Sequence, residues 1–232
     1  LFRSAKVLHK IDGKEMIHYV IEASKSVAGN NIIVVVGYQA ETVEKVVSER
    51  HEVFFALQEE QLGTGHAVKM AVPFIPAGVA DVVVLCGDVP LVEPETLKKM
   101  VDEHKKEKRH ITVLAVEMGD PAGYGRIVFD EIRRVTKIVE EKDADEEQKK
   151  INVINTGIYC FEKGFLVNAI SKLKSNNAQG EFYLTDVIGI GRKENKRIGA
   201  IIVEKPEEFI GVNSVEELVK VETLVKSRVY KP

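Results

Sequence analysis

The chain has no tryptophan, only two cysteines, and no apolar run long enough to cross a bilayer. Each shortage excludes something. Cys86 and Cys160 lack both metal-site spacing and a CxxC motif, and both sit in apolar stretches. They read as buried free thiols in a reducing, cytoplasmic setting. A membrane-spanning helix needs about 20 apolar residues, and neither such a run nor a signal peptide is found. Neither sign of charge dominates: the net charge is −3, which gives no reason to expect a nucleic-acid or membrane partner. The six histidines are scattered without ligand spacing, and His66 reads as structural. Abundant Lys and Glu without Trp point toward a thermophilic source. The first residue is Leu1 rather than Met, so a native start is expected upstream of it.

What is present supports a sizeable core. The 232 residues are 44% hydrophobic, enough for one large domain or two small ones. The chain turns on Asp81 to Leu91, DVVVLCGDVPL. Val82, Val83, Val84 and Leu85 form a run suited to a parallel strand covered on both faces. Gly87 lets the chain turn and Pro90 ends any ladder. Asp88 is thereby left at the carboxyl end of a central strand, where ligands bind in open α/β sheets. It either caps a turn or holds a metal ion against phosphates.

Around this stretch, apolar periodicity predicts alternating elements. Helices are expected at Met16 to Ala23, Thr42 to Arg50, His66 to Ala71 and Glu95 to Lys106, with Pro94 starting the last. Strands are expected at Asn31 to Gly37, Glu52 to Leu57 and Ile111 to Glu117. Such alternation means a doubly wound, mostly parallel sheet. The rhythm then changes to short strands at Arg126 to Phe129 and Val135 to Glu140, a small β insertion. Asp143 to Lys150 reads as a charged, exposed connection. Val153 to Cys160 is a strand, Phe165 to Leu173 a helix, and Asn176 to Asp186 a polar loop entering another helix. Arg197 to Val203 is the last strand. Ser214 and Glu217 have capping-box spacing, with Val215, Leu218, Val221 and Val225 on one face of a final helix.

Several residues could carry chemistry, each with a plainer alternative. QEEQLGTGHA opens a helix, where backbone N–H groups meet planar or anionic ligands, or it is only a connection. The Gln58 amide can read a nucleobase edge because it both donates and accepts. Asn213 serves local hydrogen bonds or joins Asp88 on one hard cation. Mg²⁺ suits that second option, since it takes few protein oxygens along with water and substrate phosphates. Lys6 is a solvated charge or a phosphate clamp.

KVLHKIDGKEM, LQEEQLGTGHA, LCGDVPL, DPAGYGRI, INTGIY, NNAQGEFYLTD and GVNS occur in this order. Together they resemble the sugar-nucleotidyltransferase family. More narrowly, they resemble its bacterial bifunctional uridylyltransferase/acetyltransferase branch, in the N-terminal half that handles N-acetylglucosamine 1-phosphate. GDVPL alone gives the broad family; QEEQLGTGHA with NNAQGEFYLTD is far more specific.

The resemblance implies a Rossmann-like, mixed but mostly parallel sheet flanked by helices, forming one domain over 1–232. It implies transfer of UMP from UTP to N-acetylglucosamine 1-phosphate, giving UDP-N-acetylglucosamine and pyrophosphate for cell-wall and lipopolysaccharide precursors. By carry-over, Gln58, Gly63 and Thr64 hold the uracil, Asp88 and Asn213 hold Mg²⁺, and Lys6 contacts phosphate. Cys86 and Gly87 line the site beside Asp88. Gly125, Glu140 and Asn155 position the sugar, with Tyr183 and Thr185 nearby. The family's first strand and glycine-rich phosphate loop are expected before Lys6, and their absence is expected to leave a gap at the sheet centre. Ala5 stands where the family usually has Pro, and Cys86 where it often has Tyr. The C-terminal β-helix of the bifunctional branch, with its acetyl transfer and trimer contacts, lies outside this sequence. Two other functions remain: nucleotidyl transfer to a different sugar 1-phosphate, against which NNAQGEFYLTD argues, and a non-catalytic regulatory module that binds sugar nucleotides, against which the pair Asp88 and Asn213 argues.

Overall fold

The computed structural model describes residues 5–229. A single 3₁₀ turn at Lys6–Leu8 leads into a ribbon of β1 (Lys10–Ile11) and β2 (Lys14–Glu15), joined through Asp12 and Gly13, both at positive φ. Asp-Gly suits a two-residue turn that needs left-handed backbone at both positions. Next come α1 (Met16–Ala28), β3 (Ile33–Val36), α2 (Ala40–Ser48), β4 (Phe54–Leu57) and α3 (Thr64–Ala71). They are followed by β5 (Asp81–Val84), α4 (Pro94–Lys106), β6 (Ile111–Glu117), β7 (Arg126–Phe129) and β8 (Val135–Val139). The chain continues through α5 (Glu146–Lys149), β9 (Val153–Glu162), α6 (Lys163–Ile170), α7 (Asp186–Lys193), β10 (Ile198–Val203) and α8 (Val215–Val229).

The main sheet is mixed. β10 pairs with β6 in parallel, and β9 lies antiparallel between β6 and β5. β10, β6 and β5 therefore share one direction and β9 opposes them. The valines of β5, expected beside a parallel partner and covered on both faces, instead pair antiparallel with β9 and are only half-buried. Helices cover both faces of this sheet, as the α/β alternation requires. Side chains of β6 divide by parity. Ile111 and Val113 join Phe165, Leu166, Val187 and Ile188 of α6 and α7 on one face. Leu114 and Val116 join Leu97 and Met100 of α4 on the other. The β7–β8 hairpin is the expected insertion.

β3 and β4 form a separate parallel pair. Among the described residues, no strand joins the free edge of β3 or of β5. Between them lies a cavity of ≈ 760 Å³. Val34, Val82, Val84 and the α1 residues Ile17, Val20 and Ile21 line its apolar part, and the same cavity continues to Asp88 and Asn213.

One helix boundary and one added helix differ from expectation for reasons of capping. The Glu162 side chain accepts from the backbone N–H groups of Gly164 and Phe165, so α6 starts two residues early. Within the charged connection, Asp145 and Gln148 close a capping box and nucleate α5. The Ser214–Glu217 box forms as its spacing predicts: Ser214 Oγ accepts from Glu217 N at 3.1 Å, and Glu217 Oε2 accepts from Ser214 N at 2.9 Å.

His18 is fully buried, neither ring nitrogen makes a hydrogen bond, Nε2 lies 3.4 Å from Glu15 Oε2, and its ring centroid lies 5.0 Å from that of His51. Burial holds both imidazoles below their ordinary value of 6.5. Lys25 and Arg50 push His51 the same way, and Glu15 partly opposes the shift at His18. The folded chain thus binds fewer protons than the unfolded chain below that value. Stability is full above it and falls as pH falls below it, by up to about 1.4 kcal/mol per pH unit for each group. Urea midpoints at pH 7.5 and 5.5 should show this loss, and His51→Gln should shrink it; equal loss in both proteins would remove His51 from the account.

Candidate active site

The cleft opens where β9 forks. One edge of β9 pairs with β5 along Tyr159–Glu162 and with β7 at Ile154. Gly157 sits between these stretches at φ +77, and a Cβ there would stand 2.6 Å from Cys86 Sγ. Left-handed backbone and a close approach both require glycine at this point. Splitting the edge parts the end of β5 from the start of β7. Cys86, Gly87 and Asp88 leave on one side; Gly125 and Glu140 arrive on the other.

Lys6, Asp88 and Asn213 meet at the mouth. Lys6 Nζ is 2.5 Å from Asp88 Oδ2 and donates to Asn213 Oδ1 at 2.8 Å. The backbone explains how residues so distant in sequence converge. Asp88 O accepts from Val212 N at 2.9 Å, tying the β5 turn to the segment before α8. Asn213 N donates to Glu217 Oε2 at 2.7 Å, so the α8 capping box also fixes Asn213. Ala5 N donates to Gln39 Oε1 at 2.7 Å, a bond that proline, having no N–H, could not make. The Lys6 and Asp88 side chains remain 33% and 26% exposed, open to an incoming ligand.

One wall carries Gln58 and Thr64. Gly63 has φ +103, and a Cβ would meet Phe182 O at 2.8 Å, so the loop needs glycine to lie against the later polar loop. The two loops are pinned by Phe182 N to Leu62 O at 2.8 Å, Gly65 N to Phe182 O at 2.7 Å, and Leu184 N to Thr64 Oγ1 at 3.1 Å. The opposite wall carries Gly125, Glu140, Asn155 and Thr185. Thr185 Oγ1 donates to Glu140 Oε1 at 2.9 Å, and Asn155 N to Gly125 O at 2.8 Å. Burial raises the Glu140 carboxyl above the usual carboxylate range, with Thr185 pulling the other way.

Tyr183 is not brought into the cleft. It is buried, and its hydroxyl accepts from Gln179 Nε2 at 2.9 Å. Sequence reasoning passed over Tyr124 and Tyr159, which line the cleft, and Arg126, which anchors it. Tyr124 lies inside the DPAGYGRI motif and could have been flagged. Tyr159 is hidden in an apolar strand, its hydroxyl buried beside the Asn155 side chain. Cys160 is buried as expected, but Cys86 is only half-buried and lines the cleft; its Sγ lies 3.5 Å from Gly157 O, and desolvation, then the nearby Asp88, pushes its thiol up to about 12. Since only the thiolate reacts readily, Cys86 should resist iodoacetamide at neutral pH under native conditions. Rapid native labelling would show that the thiol is not shielded.

A mixed α/β sheet whose cleft takes Gln58, just after β4, and Asp88, in the turn after β5, has the arrangement of the doubly wound class, in which ligands bind beyond carboxyl strand ends. Residues 2–206 match the family model described as Nucleotidyl transferase, so the chain belongs to the nucleotidyl transferase family. It is 46% identical over 224 residues to Bifunctional protein GlmU of Clostridioides difficile, covering 97% of this chain and 48% of that protein. It is 47% identical over 224 residues to Bifunctional protein GlmU of Clostridium perfringens, covering 97% of this chain and 49% of that one. The chain thus spans about half the length of the curated relatives it matches. Among solved structures, HddC from Yersinia pseudotuberculosis superposes with a TM-score of 0.70 at 21% identity, covering 95% of this chain and 89% of that one, a likeness of fold. No helix among the described residues is long and apolar enough to cross a membrane.

Proposed function

We propose that this chain transfers UMP from UTP to N-acetylglucosamine 1-phosphate, releasing pyrophosphate and forming UDP-N-acetylglucosamine. The carrying observation is the meeting of Lys6, Asp88 and Asn213 between two polar walls. Gln58, Gly63 and Thr64 face the uracil on one wall; Gly125, Glu140, Asn155 and Thr185 face the sugar on the other. An oxygen of the sugar phosphate attacks the α-phosphorus of UTP. The new P–O bond forms as the bridge to the β-phosphate breaks, and pyrophosphate leaves with that electron pair. The nucleophile is already an anion, so no general base is needed, and the work is positioning and charge neutralisation. Lys6 supplies positive charge where phosphates enter.

Mg²⁺ fits the mouth of the cleft. Two oxygens already converge on one cation there, the Lys6 ammonium. Asp88 and Asn213 would hold the ion, which when bound supplies further positive charge opposite the triphosphate. A cytoplasmic setting accords with the two free thiols.

The sugar wall is tested by Asn155→Ala. Its Oδ1 accepts from Gly157 N at 3.1 Å, which holds the amide in the cleft wall. The KM for N-acetylglucosamine 1-phosphate should rise about tenfold with the KM for UTP little changed. A rise confined to UTP would place the sugar elsewhere.

A further inference from the structure

Gln58 can read a base in only one direction if its amide cannot turn over, and the structure holds that amide at two points. Its Nε2 donates to Gly63 O at 3.1 Å. A backbone carbonyl only accepts, so the nitrogen end must face it. The same Nε2 lies 3.1 Å from His66 Nδ1. With both amide protons directed inward, His66 Nδ1 must be the acceptor, and the imidazole is neutral with its proton on Nε2. Both of these contacts run through Nε2, which leaves Oε1 toward the cleft that Gln58 lines. The His66 ring is itself steadied against Phe182, with centroids 6.4 Å apart.

We propose that His66 is a positioning residue for base selection: it locks the Gln58 amide so that only its carbonyl oxygen faces the nucleobase. This rests on the reading of Gln58 as the residue that faces the base. An acceptor fixed in that place suits a pyrimidine carrying a proton at N3, which uracil has. Cytosine presents a lone pair at N3, and the two acceptors oppose each other. An amide free to turn would offer Nε2 instead and admit cytosine. A lone glutamine is ambivalent, donor and acceptor on one planar group. The selectivity therefore comes from its two supports, Gly63 O and His66 Nδ1, and from their positions on the LGTGH turn. Gly63 is the cap residue of α3 and His66 lies in that helix's first turn. The geometry is thus set by the start of a helix rather than by a mobile loop.

The test is kcat/KM for UTP and for CTP, at saturating N-acetylglucosamine 1-phosphate, in the full-length protein and three variants. His66→Leu keeps bulk against Phe182 but cannot accept. Losing one of two neutral hydrogen bonds should lower the UTP-over-CTP ratio about tenfold. Because His66 does not touch the reacting phosphates, kcat for UTP should stay within about twofold of wild type. His66→Asn places a carbonyl oxygen near the position of Nδ1 and should keep the ratio within about threefold of wild type. Gln58→Ala should lose the preference outright. If His66→Leu keeps the preference while Gln58→Ala loses it, the role of His66 is overturned and the reading of Gln58 stands. If Gln58→Ala also keeps it, both are overturned. Equal losses in His66→Leu and His66→Asn would reduce His66 to packing and overturn the proposal.

Discussion

Asp88→Ala and Asn213→Ala should each lower kcat by on the order of a hundredfold, and the double variant should fall little below the worse single. The two side chains lie 125 positions apart in sequence yet bind the same Lys6 ammonium at 2.5 and 2.8 Å. A cation held between them loses its seat when either oxygen goes, so the second removal finds little left to remove. KM for the sugar phosphate should move far less, because its wall is built from Gly125, Glu140 and Asn155. Independent sites behave differently: their losses in log kcat would add. A double-mutant cycle at saturating Mg²⁺ reads the distinction. Additive losses, or a near-normal rate for Asp88→Ala, would return Asp88 to the role of a turn residue.

Arg126→Leu should cost roughly 2–4 kcal/mol of stability in urea unfolding. Its side chain is 2% exposed, pairs with Glu141 at 2.8 Å, and donates to the carbonyl oxygens of Tyr124 and Lys149. Leucine keeps much of the volume and removes every donor. Tyr124 O and the Glu141 carboxylate are then left without their main partner. Glu141 is one-third exposed and can rehydrate, which keeps the loss below that of a fully buried pair. The same arginine holds the turn that delivers Tyr124 and Gly125 to the cleft, so KM for the sugar phosphate should rise as well. A variant within about 0.5 kcal/mol of wild type would mean that the turn holds itself.

Much of this was legible in the sequence because local signals and global fold agree. Ser214 and Glu217 announce the start of α8, Pro94 that of α4, and the valines before Gly87 a strand that ends at Val84 and turns to present Asp88. The partner of that strand was not legible. Valine runs favour buried strands of either direction, and only the long-range pairing to β9 decides. The start of α6 was missed because Glu162 caps it from within a strand. The resemblance alone puts Tyr183 near the site; its own hydroxyl accepts from Gln179 Nε2 instead. His66 was read as structural because spacing reveals metal ligands but not a hydrogen bond that holds another side chain in place.

The central claim is the transfer itself, and pyrophosphate release by the full-length protein tests it most directly. The account predicts no release from UTP alone and sustained release when N-acetylglucosamine 1-phosphate is added. Glucose 1-phosphate should support at most about a tenth of that rate, as expected when a site's polar groups lose their partner. Release from UTP alone, equal rates with both sugar phosphates, or binding of both substrates without any release would contradict it.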